Sequence, residues 1–145
     1  MAGSDGHICL DANVVVHGSG MHVAPRLAGT IAGWADAGST FHVPSLWRYE
    51  VTNALYRAAG GGLIDASHLG ARLNLIWALP LTYHDELVLH ERAAAIALAL
   101  RSGAAYDAHY LALSERLSIP FYTCDARLYN AARHRFPLVE LLPIA

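Results

Sequence analysis

Lysine is absent from this sequence of 145 residues, cysteine occurs only twice, and charged residues make up only 15% of the chain. All ten basic residues are arginines and the formal net charge is −2, which argues against a general coat for nucleic acid. The two cysteines, Cys9 and Cys124, are too few for a disulfide framework. Both fall in apolar runs, so we interpret them as buried free thiols, which predicts a cytoplasmic location.

Long apolar runs are also missing. The longest, residues 93–100, is far shorter than the roughly 20 residues of a membrane span, and no secretory signal pattern is present, so we expect no membrane association. Hydrophobic residues still make up 54% of the chain, which predicts a large core with apolar surface left for a partner. The length fits one domain. We expect residues 7–145 to form it and residues 1–6 to be a flexible leader.

Short apolar runs alternate with helical periodicities along the chain. Strands are predicted at residues 7–10, 41–43, 81–83, 119–123 and 138–142. Helices are predicted from about residue 27 to 38, and at 45–59, 65–80, 86–101, 107–117 and 126–133. This alternation predicts an α/β fold, a three-layer sandwich around a central, mostly parallel five-stranded sheet.

Four carboxylates stand next to these predicted strands and helices. Asp11 and Asp125 each follow a predicted strand, and Asp107 begins a helix. Glu50 lies in the first turns of the helix after the second strand, with Asn53 and Arg57 on the same face. Ligands of parallel sheets bind beyond the carboxyl ends of the strands. We therefore expect these acids to lie near one another.

Each acid taken alone has an ordinary structural explanation. Asp is a favoured helix N-cap, which fits Asp107 and Asp125, and we assign Asp65 to that role. Four clustered acids, however, would repel one another unless a cation or a shared proton neutralised them. Because carboxylate oxygens are the ligands that Mg²⁺ prefers, the pattern favours a shared cation site.

The sequence contains no motif typical of a zinc site, a serine nucleophile or a nucleotide-binding loop. The nine histidines show none of the HxH, HExxH or CxxC spacings of zinc sites. A GxSxG nucleophile elbow, a GxGxxG loop and a GxxxxGK[ST] loop are also absent. The four arginines after residue 115 give that end a local charge of +2, which leaves nucleic acid open as a ligand.

Three stretches together resemble a PIN domain, and specifically the VapC-type toxin ribonucleases: ICLDANVVV, VPSLWRYEVTNAL and AYDAHYLALSERLSIPFYTCDARL. The likeness extends from about residue 7 to 142. It implies a parallel sheet of order 3-2-1-4-5. It also implies catalytic, Mg²⁺- or Mn²⁺-binding roles for Asp11, Glu50, Asp107 and Asp125.

The same resemblance implies supporting residues and partners. Asn53 and Thr123 would orient carboxylates or waters. The place of Arg57 on the face of Glu50 leaves three roles open, which are contact with substrate phosphate, contact with a partner, and packing within the protein. A homodimer is expected, together with a small antitoxin that covers the early helices. We expect aromatic and apolar side chains there to anchor the partner, namely Trp34, Trp47, Tyr49 and Leu46.

The expected activity is metal-dependent hydrolysis of RNA phosphodiesters by an activated water, leaving a 5′-phosphate and a 3′-hydroxyl, in the toxin of a toxin–antitoxin pair. One departure from the family is the segment after Asp11, ANVVVHGSGMHVAPRL, which lacks an acid that many relatives carry. Three alternatives stay open: a catalytically idle RNA- or protein-binding PIN module, a housekeeping RNA-processing nuclease, and a metal phosphohydrolase for small molecules.

Overall fold

Five short strands form one sheet at the centre of the molecule. The structure, a computed structural model, describes residues 6–20 and 24–144. The strands are β1 (His7–Leu10), β2 (Thr40–Pro44), β3 (Leu81–His84), β4 (Phe121–Thr123) and β5 (Val139–Leu141). Their order is β3-β2-β1-β4-β5 and every neighbouring pair is parallel, which confirms the predicted sheet.

Helices connect these strands and cover both faces of the sheet. They are α1 (Ala12–Val15), α2 (Pro25–Asp36), α3 (Leu46–Gly60), α4 (Leu69–Trp77), α5 (Leu87–Leu100), α6 (Tyr106–Leu117) and α7 (Ala126–Ala132). A π-helical turn, Val16–Gly20, follows α1, and a 3₁₀ turn, Ala66–His68, precedes α4. The sequence predicted every helix except α1 and its π-helical turn, which are too short to show a periodicity.

Aromatic side chains pack the two faces of the sheet against different helices. Tyr110 of α6 stacks on Phe121 of β4, with ring centroids 5.4 Å apart. On the opposite face, Trp34 of α2 contacts Phe41 and Tyr122, at centroid distances of 6.3 Å and 4.7 Å. Neighbouring strand residues point to opposite faces, so β4 joins both halves of the core.

Several local predictions need correction. Ser45 precedes α3 but makes no capping bond, because its backbone is already helical; its hydroxyl instead donates to Asp85. Trp34 and Trp47 are buried, so they are core residues and cannot anchor a partner as we expected, whereas Tyr49 is 79% exposed. Cys124 is half-buried and follows β4, although it and Cys9 are both free thiols, as predicted.

The start of the chain meets the sheet at Gly6, the last residue of the predicted leader. Residues 1–5 of that leader lie outside the described residues. The Gly6 carbonyl, just before the central strand β1, accepts a 2.8 Å hydrogen bond from the Thr40 amide of β2. No helix in the described part of the chain is long and apolar enough to cross a membrane.

The order of the strands determines where a ligand can bind. β1 runs beside β2 on one side and β4 on the other, so the chain changes its direction of winding between β1 and β4. Such a switch point opens a crevice beyond the carboxyl ends of the strands. The last hydrogen bond between β1 and β4 before that crevice runs from the Asp11 amide to the Tyr122 carbonyl and is 3.0 Å long.

Candidate active site

The four acids singled out in the sequence line one cavity at this switch point. Its volume is about 320 Å³. Asp11 follows β1, Asp125 follows β4, and Glu50 and Asp107 come from the first turns of α3 and α6. The lining residues are Asp11, Ala12, Asn13, Val16, His17, Glu50, Ala54, Asp107 and Asp125.

A hydrogen-bond network around Thr123 fixes the two aspartates that follow the central strands. The buried Thr123 hydroxyl donates to Asp11 Oδ2 at 2.8 Å and accepts from the Asp125 amide at 3.0 Å. Asn13 donates to the same hydroxyl at 3.4 Å and accepts from the Cys124 amide at 3.0 Å. Thr123 therefore contacts both aspartates directly, and the supporting role that the resemblance implied for it stays a prediction.

Asp125 is a helix cap as well as a cavity residue. Its Oδ1 accepts hydrogen bonds from the Arg127 and Leu128 amides, at 2.9 Å and 3.1 Å, at the start of α7. Asp11 likewise caps α1, with Oδ1 accepting from the Asn13 amide at 3.4 Å. Asp107 is the second residue of α6 and makes no cap, so capping does not explain its presence.

Glu50 is held by a residue that sequence reasoning missed. The buried Tyr110 hydroxyl donates to Glu50 Oε1 at 2.5 Å. Tyr110 follows Asp107 by three positions, which places both on the same face of α6. That spacing was a usable signal in the sequence. The bond joins α3 to α6 at the edge of the cavity.

Burial and mutual repulsion raise the pKa values of three cavity acids. The pKa of Asp11 rises to about 7, mainly because the group is buried, and the charges of Asp107 and Glu50 add to this while the Thr123 bond opposes it. Burial also raises the pKa of Glu50, against the Tyr110 bond, and that of Asp107, to which the charge of Asp125 adds. Asp107 is the most exposed of the four, so water screens its interactions most strongly.

Two further residues of the cavity were missed, and two predicted residues lie outside it. Asn13 and His17 line the cavity, and His17 Nδ1 is buried without a hydrogen-bond partner in the described part of the chain. Asn13 gave no signal, because only the helical turn α1 brings it to Thr123. Asn53 is exposed and lines a neighbouring groove with Glu50, while Arg57 is exposed in the last turn of α3.

The donor atoms of the cavity suit a hard divalent cation. Asp11, Glu50, Asp107 and Asp125 offer only carboxylate oxygens, the ligand type that Mg²⁺ and Mn²⁺ prefer. Within residues 6–20 and 24–144, however, no three His, Cys, Asp or Glu side chains are close enough in this arrangement to hold a metal ion. Binding a shared cation would therefore draw the carboxylates closer together.

A larger groove lies on the other side of α3. Its volume is about 980 Å³, and four of its nine lining residues are aromatic. Arg48 lies over the Tyr83 ring there, with its guanidinium carbon 3.8 Å from the ring centroid. None of its described lining residues is an acid. Its lining residues are Ser45, Arg48, Tyr49, Thr52, Asn53, Tyr56, Leu69, Trp77 and Tyr83.

The family of this chain follows from its sequence. The sequence model of the PIN domain matches residues 8–134, which include all four cavity acids. The chain belongs to the PIN domain family. The expectation drawn from the three sequence stretches is thereby confirmed at the level of the family. No curated protein sequence matches this PIN domain.

Two solved structures share the fold of this PIN domain. PAE2754 from Pyrobaculum aerophilum is 21% identical, with a TM-score of 0.66 over 86% of this chain and 84% of its own. VapBC2 from Rickettsia felis, solved bound to a DNA fragment from its promoter, is 13% identical, with a TM-score of 0.64 over 94% and 98%. At these identities the similarity is one of fold.

Proposed function

We propose that this PIN domain is a Mg²⁺- or Mn²⁺-dependent endoribonuclease and the toxin of a toxin–antitoxin pair. The observation that carries the proposal is the meeting of Asp11, Glu50, Asp107 and Asp125 in one cavity at the switch point. The sequence resemblance to VapC-type toxins and the similarity of fold to VapBC2 support the choice of RNA and of a toxin role.

The residues around the cavity would prepare the acids for this reaction. When bound, a divalent cation supplies a more acidic water and offsets the negative charge that builds on the phosphate. Asp11, Glu50, Asp107 and Asp125 would hold it. Thr123 keeps Asp11 in place, and Tyr110 does the same for Glu50. Removal of such supporting contacts commonly lowers metal affinity or activity.

Cleavage of small RNAs by the purified protein tests this proposal. We expect cleavage with Mg²⁺ or Mn²⁺, none with EDTA, and new 5′-phosphate ends. Asp107→Asn should abolish it, since Asp107 lines the cavity without capping a helix. Asp65→Asn is the matched control, because Asp65 caps the exposed 3₁₀ turn and should leave cleavage unchanged. Equal activity in both variants would contradict the proposal.

A second candidate function is a catalytically idle module that binds RNA or protein. It is favoured by one observation, that no three metal-binding side chains of the described residues come close enough to hold a cation. The two candidates differ in the response to metal. The idle module would bind RNA equally well with EDTA and with Mg²⁺ and would leave the RNA intact.

The aromatic groove beside α3 is the surface that we assign to the antitoxin. A smaller groove, lined by Leu46, Tyr49, Glu50, Asn53 and Tyr106, shares Tyr49 and Asn53 with it. Because Glu50 lines both this smaller groove and the acid cavity, a protein lying along α3 would reach the site. Tyr49, which is 79% exposed, and Leu46, which is half-buried, remain the predicted anchors after Trp34 and Trp47 are excluded.

The outer face of α5 is the surface that we assign to the homodimer. Leu87 and Leu98 are 85% and 80% exposed, and both are apolar. Both lie on one face of the helix, with the exposed Ala94 and Glu91 between them, while Leu89 and Ile96 face the core. Large apolar side chains exposed in this way are typical of surfaces that a partner covers, so a second copy would cover this face. A cytoplasmic location is proposed with it, on the free thiols of Cys9 and Cys124.

A further inference from the structure

Three histidines on neighbouring strands form a continuous hydrogen-bonded chain, which we call the histidine ladder. His7 Nδ1 lies 2.9 Å from His42 Nε2, and His42 Nδ1 lies 2.9 Å from His84 Nε2. His84 Nδ1 then lies 3.2 Å from Glu86 Oε1. Both pairs of ring centroids are 5.1 Å apart. Among the described residues, the ladder and the lining of the acid cavity have no member in common.

The strand register explains why these side chains meet. His7 of β1 pairs with Thr40, and His42 lies two positions further along β2. His42 pairs with Thr82, and His84 again lies two positions further along β3. Residues two apart on a strand face the same side of the sheet, so the three rings form a diagonal across that face. Parallel pairing is thus what brings together residues far apart in the sequence.

Only one arrangement of protons satisfies the whole chain when its histidines are neutral. An ionised Glu86 only accepts hydrogen bonds, so His84 must donate from Nδ1 and accept at Nε2. His42 must then donate from Nδ1, and so must His7. Glu86 is ionised at neutral pH, because hydrogen bonds from its own backbone and from His84 lower the pKa of its carboxyl. Each of the three rings therefore carries its hydrogen on Nδ1.

The ladder has room for one additional proton and no more. One added proton can occupy the outer nitrogen of His7, or be shared along the chain, with every contact still pairing a donor with an acceptor. A second added proton forces two N–H groups to face each other at 2.9 Å, and the two positive charges repel. Burial and the charges of His84 and His7 also lower the pKa of His42.

We propose that the histidine ladder is an acid-sensitive latch that fastens β3 to the rest of the sheet and opens when it takes up a second proton. The proposal does not rest on the proposed nuclease function. β3 is an edge strand, so its attachment depends on its pairing with β2 alone among the described strands. Opening also reaches α3, because the Ser45 amide donates to the His84 carbonyl at 3.0 Å.

Other titratable groups surround the ladder and must be separated from it. Cys9, two residues after His7, lies opposite His42 on the same face, and the charge of Arg116 in α6 acts on Glu86. Asp85, His90 and His109 line a cavity of about 200 Å³ with His84. These groups are all present in a variant of His42. The difference in stability between wild type and that variant, measured over a range of pH, therefore reports the ladder alone.

The test is urea unfolding from pH 8 to pH 5 for wild type, His42→Gln and His134→Gln. In the unfolded protein, all three ladder histidines are protonated below about pH 6.5, which adds three protons. The intact ladder in the folded protein holds only one added proton. Each excess proton on the unfolded state changes the folding constant by about tenfold per pH unit. The contribution of the ladder should therefore be a loss of up to about a hundredfold per pH unit below pH 6.5, which the comparison with His42→Gln separates from the titration of other groups.

The two variants give opposite expectations. A glutamine at position 42 bonds to its neighbours without titrating, so His42→Gln should lose much less stability on acidification than wild type. His134 is exposed and outside the ladder, so His134→Gln should keep the steep loss. Nitrogen NMR of wild type at pH 8 should show hydrogen on Nδ1 of all three rings. An unchanged slope in His42→Gln, or Nε2–H at His42, would overturn the latch.

Discussion

Thr123 donates a 2.8 Å hydrogen bond to Asp11, a residue 112 positions earlier in the chain, at the point where β1 and β4 end side by side. Both residues are buried, and the same hydroxyl accepts from the Asp125 amide and the Asn13 side chain. The two aspartates of the central strands are therefore positioned by one oxygen atom. A change to that oxygen should affect stability and site together.

Replacing Thr123 with valine removes this oxygen and keeps the shape of the side chain. The Asp125 amide and one Asp11 oxygen lose a partner, and a buried unpaired polar group costs about 1–3 kcal/mol. We expect the free energy of unfolding, measured in urea at pH 7, to fall by about that amount. Thr52→Val, at an exposed helical position, should change it by less than about 0.5 kcal/mol. Similar effects in the two variants would show that the hydroxyl does not position Asp11.

Asp11 should make the protein less stable as the pH rises through neutrality. Its pKa in the folded state is about 7, above its ordinary value of 3.8. Between these values the folded state binds the extra proton, so the stabilisation is fully present below about pH 4 and is lost as the pH rises through 7. Asp11→Asn should remove this contribution and melt, without metal at pH 8, at the same or a higher temperature.

The measurement that checks this prediction is the stability of Asp11→Asn and of Asp65→Asn, each compared with wild type over a range of pH. Asp65→Asn provides the opposite case, because a hydrogen bond from Ser67 lowers the pKa of this exposed cap. Any stabilisation from Asp65 is present above about pH 4 and is lost on acidification. Because asparagine keeps the cap of α1, a marked loss of stability in Asp11→Asn at pH 8 would instead show that the ionised Asp11 carboxylate stabilises the fold.

Divalent cations should raise the melting temperature of the protein. A ligand that binds only the folded state stabilises it by about 2.7 kcal/mol at 100 times its dissociation constant. Asp107→Asn and Asp125→Asn should each remove most of this shift in calorimetry with Mg²⁺ or Mn²⁺. Asparagine is also a good N-cap, so Asp125→Asn keeps the start of α7. Asp65→Asn should retain the full shift, and equal shifts in all three variants would contradict a shared site.

Tyr110→Phe should weaken the site through Glu50. It removes the hydroxyl that donates to Glu50 Oε1 at 2.5 Å and leaves the stacking on Phe121 intact. Loss of a contact of this kind typically lowers metal affinity or activity by about 10–100-fold. RNA cleavage measured over a range of Mg²⁺ concentrations gives both the metal affinity and the activity. Tyr56→Phe, at an exposed position of α3, should change neither of them.

Leu98→Glu should dissociate the proposed homodimer. Leu98 is 80% exposed on the outer face of α5, so a buried charge there would oppose association without disturbing the core. We expect sedimentation to show a monomer whose unfolding free energy at low protein concentration is unchanged within about 0.5 kcal/mol. Leu75→Glu, on the exposed face of α4, should stay dimeric. A wild-type protein that is monomeric at high concentration would contradict the assignment of α5.

The elements of the fold were accessible from the sequence because their signals are local. Leu27, Ile31 and Trp34 recur on one helical face and are all buried. Residues 7–10 form an apolar run and become β1 with unchanged bounds. The resemblance supplied the strand order, which no local pattern contains. The burial of Trp47 was missed because an aromatic residue at the start of a helix fits a core and an interface equally well.

The contacts within the site depend on tertiary structure, and the sequence showed them only in part. Asp11 and Asp125 follow apolar runs, so the rule for parallel sheets brought them together correctly. Asn13 and His17 lie on turns too short to have a period, and their positions depend on the path of the chain after Asp11. The histidine ladder was invisible for a related reason, because it depends on the register between three strands.

The sheet order also determines when the cavity can form during protein synthesis. β4 lies beside β1 near the centre of the sheet, but it is made from residues 121–123. Until these residues leave the ribosome, β1 has one open edge and Asp11 has neither Thr123 nor Asp125 beside it. At the usual speed of translation, about 5–20 residues per second, the earlier part of the chain therefore spends seconds without an assembled site. A nascent chain of this protein is harmless to RNA for nearly the whole of its synthesis, if the four acids act together as we propose.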